Sequence, residues 1–205
     1  MQFHFITTDN EHLFRPELDL FFRARHAVYA EELGWVPKSS DGLEYDAFDT
    51  ASAAYLVVMD GDELVAGSRF VPTHLPHLLS EVFPDSCDLV PMVRDPAVVE
   101  WTRGFIVASR RDRSSLRILA GACAAVMEYC LHNGYRQVGG IQDSKWIGLW
   151  QKMGWSIHQH GRPINIDGRP WLPIYFDVTE QAMLNARKSA RLEGPLLPAL
   201  VKRAA

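Results

Sequence analysis

The residues that could do chemistry begin with a glutamate and an arginine set into an apolar stretch. Val98–Val107 reads Val-Val-Glu-Trp-Thr-Arg-Gly-Phe-Ile-Val, apolar enough for a core strand yet carrying Glu100 and Arg103. Charged side chains buried in a strand are costly unless paired or hydrogen-bonded. The two therefore either satisfy each other or face a polar ligand. A regular strand would send them to opposite faces, because their parity differs. Gly104 follows at once, and a glycine inside a strand often marks a bulge. A bulge would let both point into one cleft. The competing account is a single buried ion pair that holds the sheet.

Other charged groups accompany this stretch. From Pro16, which suits a first helical turn, Leu18, Phe21, Phe22, Arg25, Val28 and Tyr29 fall on one stripe that is apolar except at Arg25. Arg25 either snorkels to the rim or sits inside on an anionic partner, since a guanidinium keeps its charge. The loop from Pro37 to Asp49 carries Glu44, Asp46 and Asp49, interleaved with Leu43, Tyr45 and Phe48. The interleaving implies a loop that packs down, either around a cationic group or onto Arg25. Its spacing is not that of a calcium loop. Arg69 ends a strand, where an arginine is most often a rim residue. Arg110, Arg111, Arg113 and Arg117 surround Ser114 and Ser115 at a helix start. Free N–H groups there attract anions, so the stretch is either a phosphate or acidic-protein site or a solvated basic loop. Gly139 and Gly140 inside a strand imply a bend or a ligand lying close to the backbone.

The elements that must position these groups follow from the pattern. The 205 residues suit one domain, taken as 1–191 with a loosely held tail over 192–205. A 47% hydrophobic, 22% charged chain of net charge −4 is ordinary for a globular protein and gives no sign of nucleic-acid binding. No apolar run reaches the roughly 18 residues of a membrane span. The first residues lack a secretory signal, so a soluble cytoplasmic protein is expected. Three cysteines without metal-like spacing argue against a disulfide framework or a zinc site.

In order, the chain reads as strand (2–7), helix from Pro16 to Gly34, and a hairpin of 51–60 and 63–71 about Gly61-Asp62. A short helix (75–83) and the strand at Val98 follow. A helix with Leu119, Ala122, Cys123, Val126, Met127 and Cys130 on its buried face comes next, closed by Asn133-Gly134. Then come a strand (135–142), a short helix with Trp146 and Trp150, strands at 155–160 and 171–178, and a last helix (179–191). This order suits a mixed sheet with helices packed on it.

Several ordered segments together resemble the LuxI-type acyl-homoserine lactone synthases. They are Arg25-His26-Ala27-Val28-Tyr29 with Trp35, the acids Glu44, Asp46 and Asp49, and Gly67-Ser68-Arg69 with Val71-Pro72-Thr73. Ser80-Glu81-Val82-Phe83-Pro84 and Glu100-Trp101-Thr102-Arg103 complete the set. The match is good over about the first 110 residues and looser beyond. The resemblance implies a three-layer αβα sandwich related to the N-acetyltransferase fold. It implies S-adenosylmethionine as co-substrate, with no tightly bound cofactor and no metal. The amine of that molecule attacks an acyl thioester, carried by an acyl-carrier protein or by CoA, and its carboxylate then displaces methylthioadenosine to close the lactone. On this reading Glu100 accepts the amine proton and Arg103 orients Glu100. Glu44, Asp46 and Asp49 hold the cationic co-substrate, Arg25 and Arg69 order those acids or face the carboxylate, and Trp35 and Phe83 wall the pocket. Phe105, Arg110, Arg111, Gly139, Gly140 and Trp146 border the acyl and pantetheine arm.

Two departures matter. Members favouring a 3-oxo chain tend to carry threonine at the position of Gly140, and Lys145-Trp146 only partly matches the tryptophan pair of members that use acyl-CoA. Two other classes compete: an acetyltransferase-type enzyme acting on another amine, and a non-catalytic sensor of S-adenosylmethionine or an acyl chain. The first would want a glycine-rich pyrophosphate loop where the chain has Arg113-Ser114-Ser115-Leu116.

Overall fold

The computed structural model describes residues 1–197. Its strands are β1 (Gln2–Ile6), β2 (Ala54–Asp60), β3 (Glu63–Pro72), β4 (Val98–Ile106), β5 (Gln137–Asp143), β6 (Ile157–Gln159), β7 (Ile164–Ile166) and β8 (Arg169–Asp177). Its α-helices are α1 (Arg15–Arg25), α2 (Leu78–Val82), α3 (Ser115–His132), α4 (Ile147–Lys152) and α5 (Glu180–Ala190). The sheet runs β1-β2-β3-β4-β5-β8-β6, with β7 paired to β8. Every neighbouring pair is antiparallel except β4–β5.

Alternation along the strands sorts the core onto two faces. Leu56 and Val58 of β2 pack with α3 and α5, through Cys123, Val126, Met127, Ala182 and Ala186. Val57 and Met59 face the other way, against Phe21 and Phe22 of α1. The result is the expected three-layer αβα sandwich with a mixed sheet. Gly67 lets α1 come close, because a Cβ there would lie 2.7 Å from the Phe21 ring. Burying an aromatic such as Phe21 contributes roughly 1.5–3 kcal/mol, and it is this packing that carries Arg25 inward on the same helix face.

Three local features place the functional side chains. After Arg25 the helix widens into a π-helical stretch, His26–Glu32, in which Leu33 N–H reaches back to Val28 O. Such widened turns are rare and often mark functional sites. In β4 a bulge is present where it was expected. Gly67 pairs with Phe105 but Arg69 pairs with Thr102, so Arg103 and Gly104 together oppose Ser68. Arg103 takes a left-handed backbone, φ 52°, which only an over-determined position holds. Third, β4 and β5 pair only over Val98–Glu100 against Gln137–Gly139, and then they part. The Gln142 side chain reaches across the opening to donate to Trp101 O at 2.9 Å.

Two elements differ from expectation. Asp167-Gly168 is a turn as read, but it links β7 to β8, and the short strand before it was missed. The tail, expected to be loose from 192, is docked as far as Leu197: Glu128 accepts the N–H of Leu196 and Leu197, and Leu197 is buried. Residues 198–205 of that expected tail lie outside the described residues. Among the described residues no helix is long and apolar enough to cross a membrane.

Candidate active site

Three arginines and three acids form one buried network on the α1 face. Arg25 and Arg69 are both 0% exposed, so neither snorkels nor sits at a rim. Arg25 grips Asp49 with two parallel bonds, Nη1–Oδ1 at 2.7 Å and Nη2–Oδ2 at 2.9 Å, and gives its Nε to Glu44. Arg69 Nη1 meets Asp46 and lies 3.1 Å from Asp49. Arg103 Nη2 lies 2.7 Å from Asp46 and 3.2 Å from Glu44. Burial pulls Asp49 toward protonation, but Arg25 and Arg69 outweigh it and hold its carboxyl at about 2. The loop braces itself as well, since Asp46 N–H donates to Asp49 and Phe48 N–H to Asp46, both at 2.8 Å. Tyr29 supports Arg103 from below: its ring lies 5.1 Å from the guanidinium, and its hydroxyl donates to Gly104 O at 2.9 Å.

Of the two readings of the acidic loop, the structure shows the one that gives it to Arg25, with Arg69 and Arg103 as further partners. One expectation needs correction: Arg103 does not orient Glu100, since its charge partners are Glu44 and Asp46.

Glu100 is held in another way. It is fully buried, and its carboxylate accepts the N–H of Leu78 at 3.0 Å and of Leu79 at 2.7 Å, at the start of α2. The Ser80 hydroxyl fixes that start by accepting the His77 N–H at 3.1 Å, and the His77 ring is held by Leu75 O at 2.8 Å. Burial pushes the Glu100 carboxyl up to about 7 against those two hydrogen bonds. A carboxylate with that midpoint, at the point where β4 and β5 part, suits proton abstraction near neutral pH.

The profile of the autoinducer synthases matches residues 9–184. The chain belongs to the autoinducer synthase family. It is 30% identical to an isovaleryl-homoserine lactone synthase of Bradyrhizobium diazoefficiens over 207 aligned residues, covering 97% of this chain and 93% of that one. It superposes with TM-score 0.88 on BjaI, described as a CoA-dependent acyl-homoserine lactone synthase and solved with SAM and isopentyl-CoA. That match has 29% identity and covers 96% of this chain and 92% of BjaI. An N-acetyltransferase of Lactobacillus plantarum shares the fold, with TM-score 0.53 at 15% identity over 87% of this chain and all of that one.

In this autoinducer synthase the remaining expected residues fall into separate places. Trp35 stands half-buried beside Tyr29, donates its indole N–H to Asp167, and meets Trp171 edge-on at 5.5 Å. Phe83 packs with the cluster of Leu79, Val98, Ile141 and Tyr175, on the same face as Glu100. Trp146 lies against the α3-side core. Phe105 does not join it: the ring packs on Phe21 at 5.6 Å, on the α1 face. Arg110 pairs with Glu63 and Asp60, and Arg111 with Glu32, so these two are held at the surface by acids of the same chain. Ser114 does not cap α3 with its side chain, and Asp112 already accepts the Ser114 N–H at 2.8 Å. A carboxylate therefore occupies the place where an anion was expected.

The two glycines serve different neighbours. A Cβ on Gly139 would lie 2.1 Å from Ile174 O, so the close backbone is that of β8. Gly140 has φ 132°, and a Cβ there would press on Glu100 Cγ at 3.0 Å. Gly140→Ala is expected to displace the Glu100 carboxylate and cut turnover by roughly 10-fold or more, a loss that steady-state kinetics would read. Turnover within twofold of wild type would separate Gly140 from Glu100.

Sequence reasoning missed Thr102 and Tyr175. Thr102 pairs with Arg69 across β3 and β4, and Tyr175 pairs with Gly139, so both share the face of Glu100. Neither the Thr102 nor the Tyr175 hydroxyl has a hydrogen-bond partner among the described residues. For Thr102 a signal existed, because it has the parity of Glu100.

Proposed function

We propose that this chain is an acyl-homoserine-lactone synthase that takes S-adenosylmethionine and an acyl-CoA. The observation that carries the reading is Glu100: a buried carboxylate with its midpoint near neutrality, beside a charge-neutralised arginine network. Glu100 takes a proton from the α-ammonium of S-adenosylmethionine. The free amine attacks the thioester carbonyl, a C–N bond forms, the C–S bond breaks, and CoA leaves as the thiol. The carboxylate then attacks the γ-carbon, and methylthioadenosine departs. Burial of the site limits loss of the thioester to water.

CoA rather than a carrier protein as donor is supported by the similarity to BjaI over nearly the whole chain. The internal pairing of Arg110 and Arg111 points the same way, since those arginines would otherwise suit an acidic carrier protein. A short branched acyl group is supported by the isovaleryl-specific name of the Bradyrhizobium relative. Trp101, Met127 and Trp150 belong to the same α3-side core, which suits a short chain.

The test is a product assay. Purified protein is mixed with S-adenosylmethionine and a panel of straight and branched acyl-CoA and acyl-carrier-protein thioesters, and mass spectrometry reads methylthioadenosine and lactone. The expected result is both products, best with a short branched acyl-CoA. Preference for carrier-protein thioesters would overturn the donor. Thiol release with another amine and no methylthioadenosine would favour the acetyltransferase class. Binding of S-adenosylmethionine without turnover on any donor would favour a sensor.

A further inference from the structure

Beyond Glu100 and Gly139, β4 and β5 part, and on the α1 face the gap is crossed by side chains from distant parts of the chain. On the β4 side, Tyr29 lies against Arg103 and bonds Gly104 O, and Trp35 N–H is donated to Tyr29 O at 2.8 Å. On the β5 side, Trp171 pairs with Asp143, and the β7–β8 hairpin continues from it. The two sides meet at Trp35. Its ring stands edge-on to Trp171, and its indole N–H donates to Asp167, 132 residues away. The hairpin is built to hold that carboxylate still. Asp167 and Gly168 are a two-residue turn with φ 51° and 76°, positive at both central residues as in a type I′ turn, which aspartate, asparagine and glycine accept. Asn165 Oδ1 accepts the Gly168 N–H at 2.8 Å, and Ile164 and Ile166 pack on the cluster of Leu79 and Tyr175. Arg169, next to the turn, lies 3.6 Å from buried Asp143. Trp35 is half-buried and Asp167 exposed, so their bond sits at the rim, where it can open without disturbing the core.

We infer that Asp167 is a positioning residue that latches Trp35 and the β7–β8 hairpin together as a lid over the Glu100 cleft. This rests on the proposed reaction and adds what keeps that reaction coupled. S-adenosylmethionine enters and methylthioadenosine leaves while the latch is open. With the latch closed, the amine is kept at Glu100 and water is kept out. Water is the competing nucleophile. When the lid is loose, Glu100 takes a proton from water in place of the ammonium, and the water oxygen forms a C–O bond to the acyl carbon. The C–S bond breaks, the thiolate takes the proton held by Glu100, and free acid and CoA leave with no methylthioadenosine formed. The latch therefore sets how many thioesters are consumed per lactone.

The experiment counts thiol against lactone. Mass spectrometry reads CoA thiol, lactone and methylthioadenosine for wild type, Asp167→Asn, Asp167→Gly, Trp35→Phe and the double variant Trp35→Phe/Asp167→Gly, with S-adenosylmethionine and the best acyl-CoA of the product assay. Asparagine and glycine both suit the turn, but only asparagine can accept the indole N–H, so the two separate the hydrogen bond from the backbone. Wild type should release thiol and lactone in equal amounts. Asp167→Gly should release an excess of thiol and raise KM for S-adenosylmethionine roughly 3- to 10-fold, while kcat for thiol release changes little. Asp167→Asn should stay near wild type in both. Trp35→Phe keeps a ring but no N–H and should resemble Asp167→Gly, and the double variant should be no worse than the worse single one. Wild-type ratio and KM in Asp167→Gly, an Asp167→Asn as impaired as Asp167→Gly, or additive losses in the double variant would each overturn the inference. Should Trp35→Phe fail to give a cooperative thermal melt, the comparison of Asp167→Asn with Asp167→Gly decides. Wild type that forms no lactone from any thioester would overturn the proposed function itself, whereas a lactone-forming wild type with unchanged variants overturns the latch alone.

Discussion

Glu100→Gln is expected to lower turnover by about 10²- to 10⁴-fold and to leave S-adenosylmethionine affinity within a few-fold. Glutamine matches the size of Glu100 and can still accept the N–H of Leu78 or of Leu79, but it cannot take a proton. The wild-type pH profile should show the same group. Burial pushes the Glu100 carboxyl up to about 7, so kcat/KM should rise with pH through a midpoint near that value. Stability should run the other way. The folded-state midpoint lies above the ordinary value of 4.5, so the folded protein holds a proton that the unfolded chain releases. The stability this gives is fully present below 4.5 and is lost as pH rises through about 7, a change on the order of 3 kcal/mol. Glutamine has no proton to lose, although its NH₂ group must face one backbone donor, at a cost of about 1–3 kcal/mol. Denaturant titrations should therefore find the variant less stable at pH 5, with the gap narrowing toward pH 8. A variant that keeps wild-type turnover, or a wild-type profile flat between pH 5.5 and 8.5, would remove Glu100 from the chemistry.

How far the site could be read from sequence depended on whether its cause was local. Glu100 and Arg25 stood out because a charge in an apolar strand or stripe needs a reason wherever it lies. The bulge was legible because the parity conflict between Glu100 and Arg103 had only one local remedy, with Gly104 beside it. Partners were harder to assign. Arg103 was matched to the nearest acid along the chain, yet its partners are Glu44 and Asp46, on a loop that α1 packing brings over β4. Such a pairing is a property of the tertiary fold. Gly139 was read as facing a ligand for the same reason, since nothing nearby in sequence announces that β8 pairs at that point. Phe105 follows the bulge, which resets the alternation and sends its ring to the α1 face. The docking of the tail rests on Glu128, whose distant partners Arg187, Leu196 and Leu197 give no periodic signal.

The largest loss of stability should come from Arg25→Met, at about 3–5 kcal/mol. Methionine fills much of the arginine volume beside Phe21 and Phe22, so the loss is chiefly electrostatic. With Arg25 gone, three carboxylates share two arginines. Asp49 keeps Arg69 at 3.1 Å and the Tyr55 hydroxyl at 3.1 Å, but gives up its bidentate clamp. Glu44, buried too, keeps only Arg103 as a charge partner among the described residues. Adding Glu44→Gln to Arg25→Met restores neutrality, so the double variant should recover part of the loss, a sign of coupling that simple cavity formation would not give. Acid titration supplies a second signature. In wild type Asp49 has its midpoint depressed from 3.8 to about 2, so its contribution of about 2 kcal/mol is present above 3.8 and is lost as pH falls through about 2. Removing Arg25 raises that midpoint, and the acid limb of the stability curve should move to higher pH. A single variant within about 1 kcal/mol of wild type, the range of exposed ion pairs, would mean that the acidic loop is held by its backbone turns, and that the network orders the site without securing the fold.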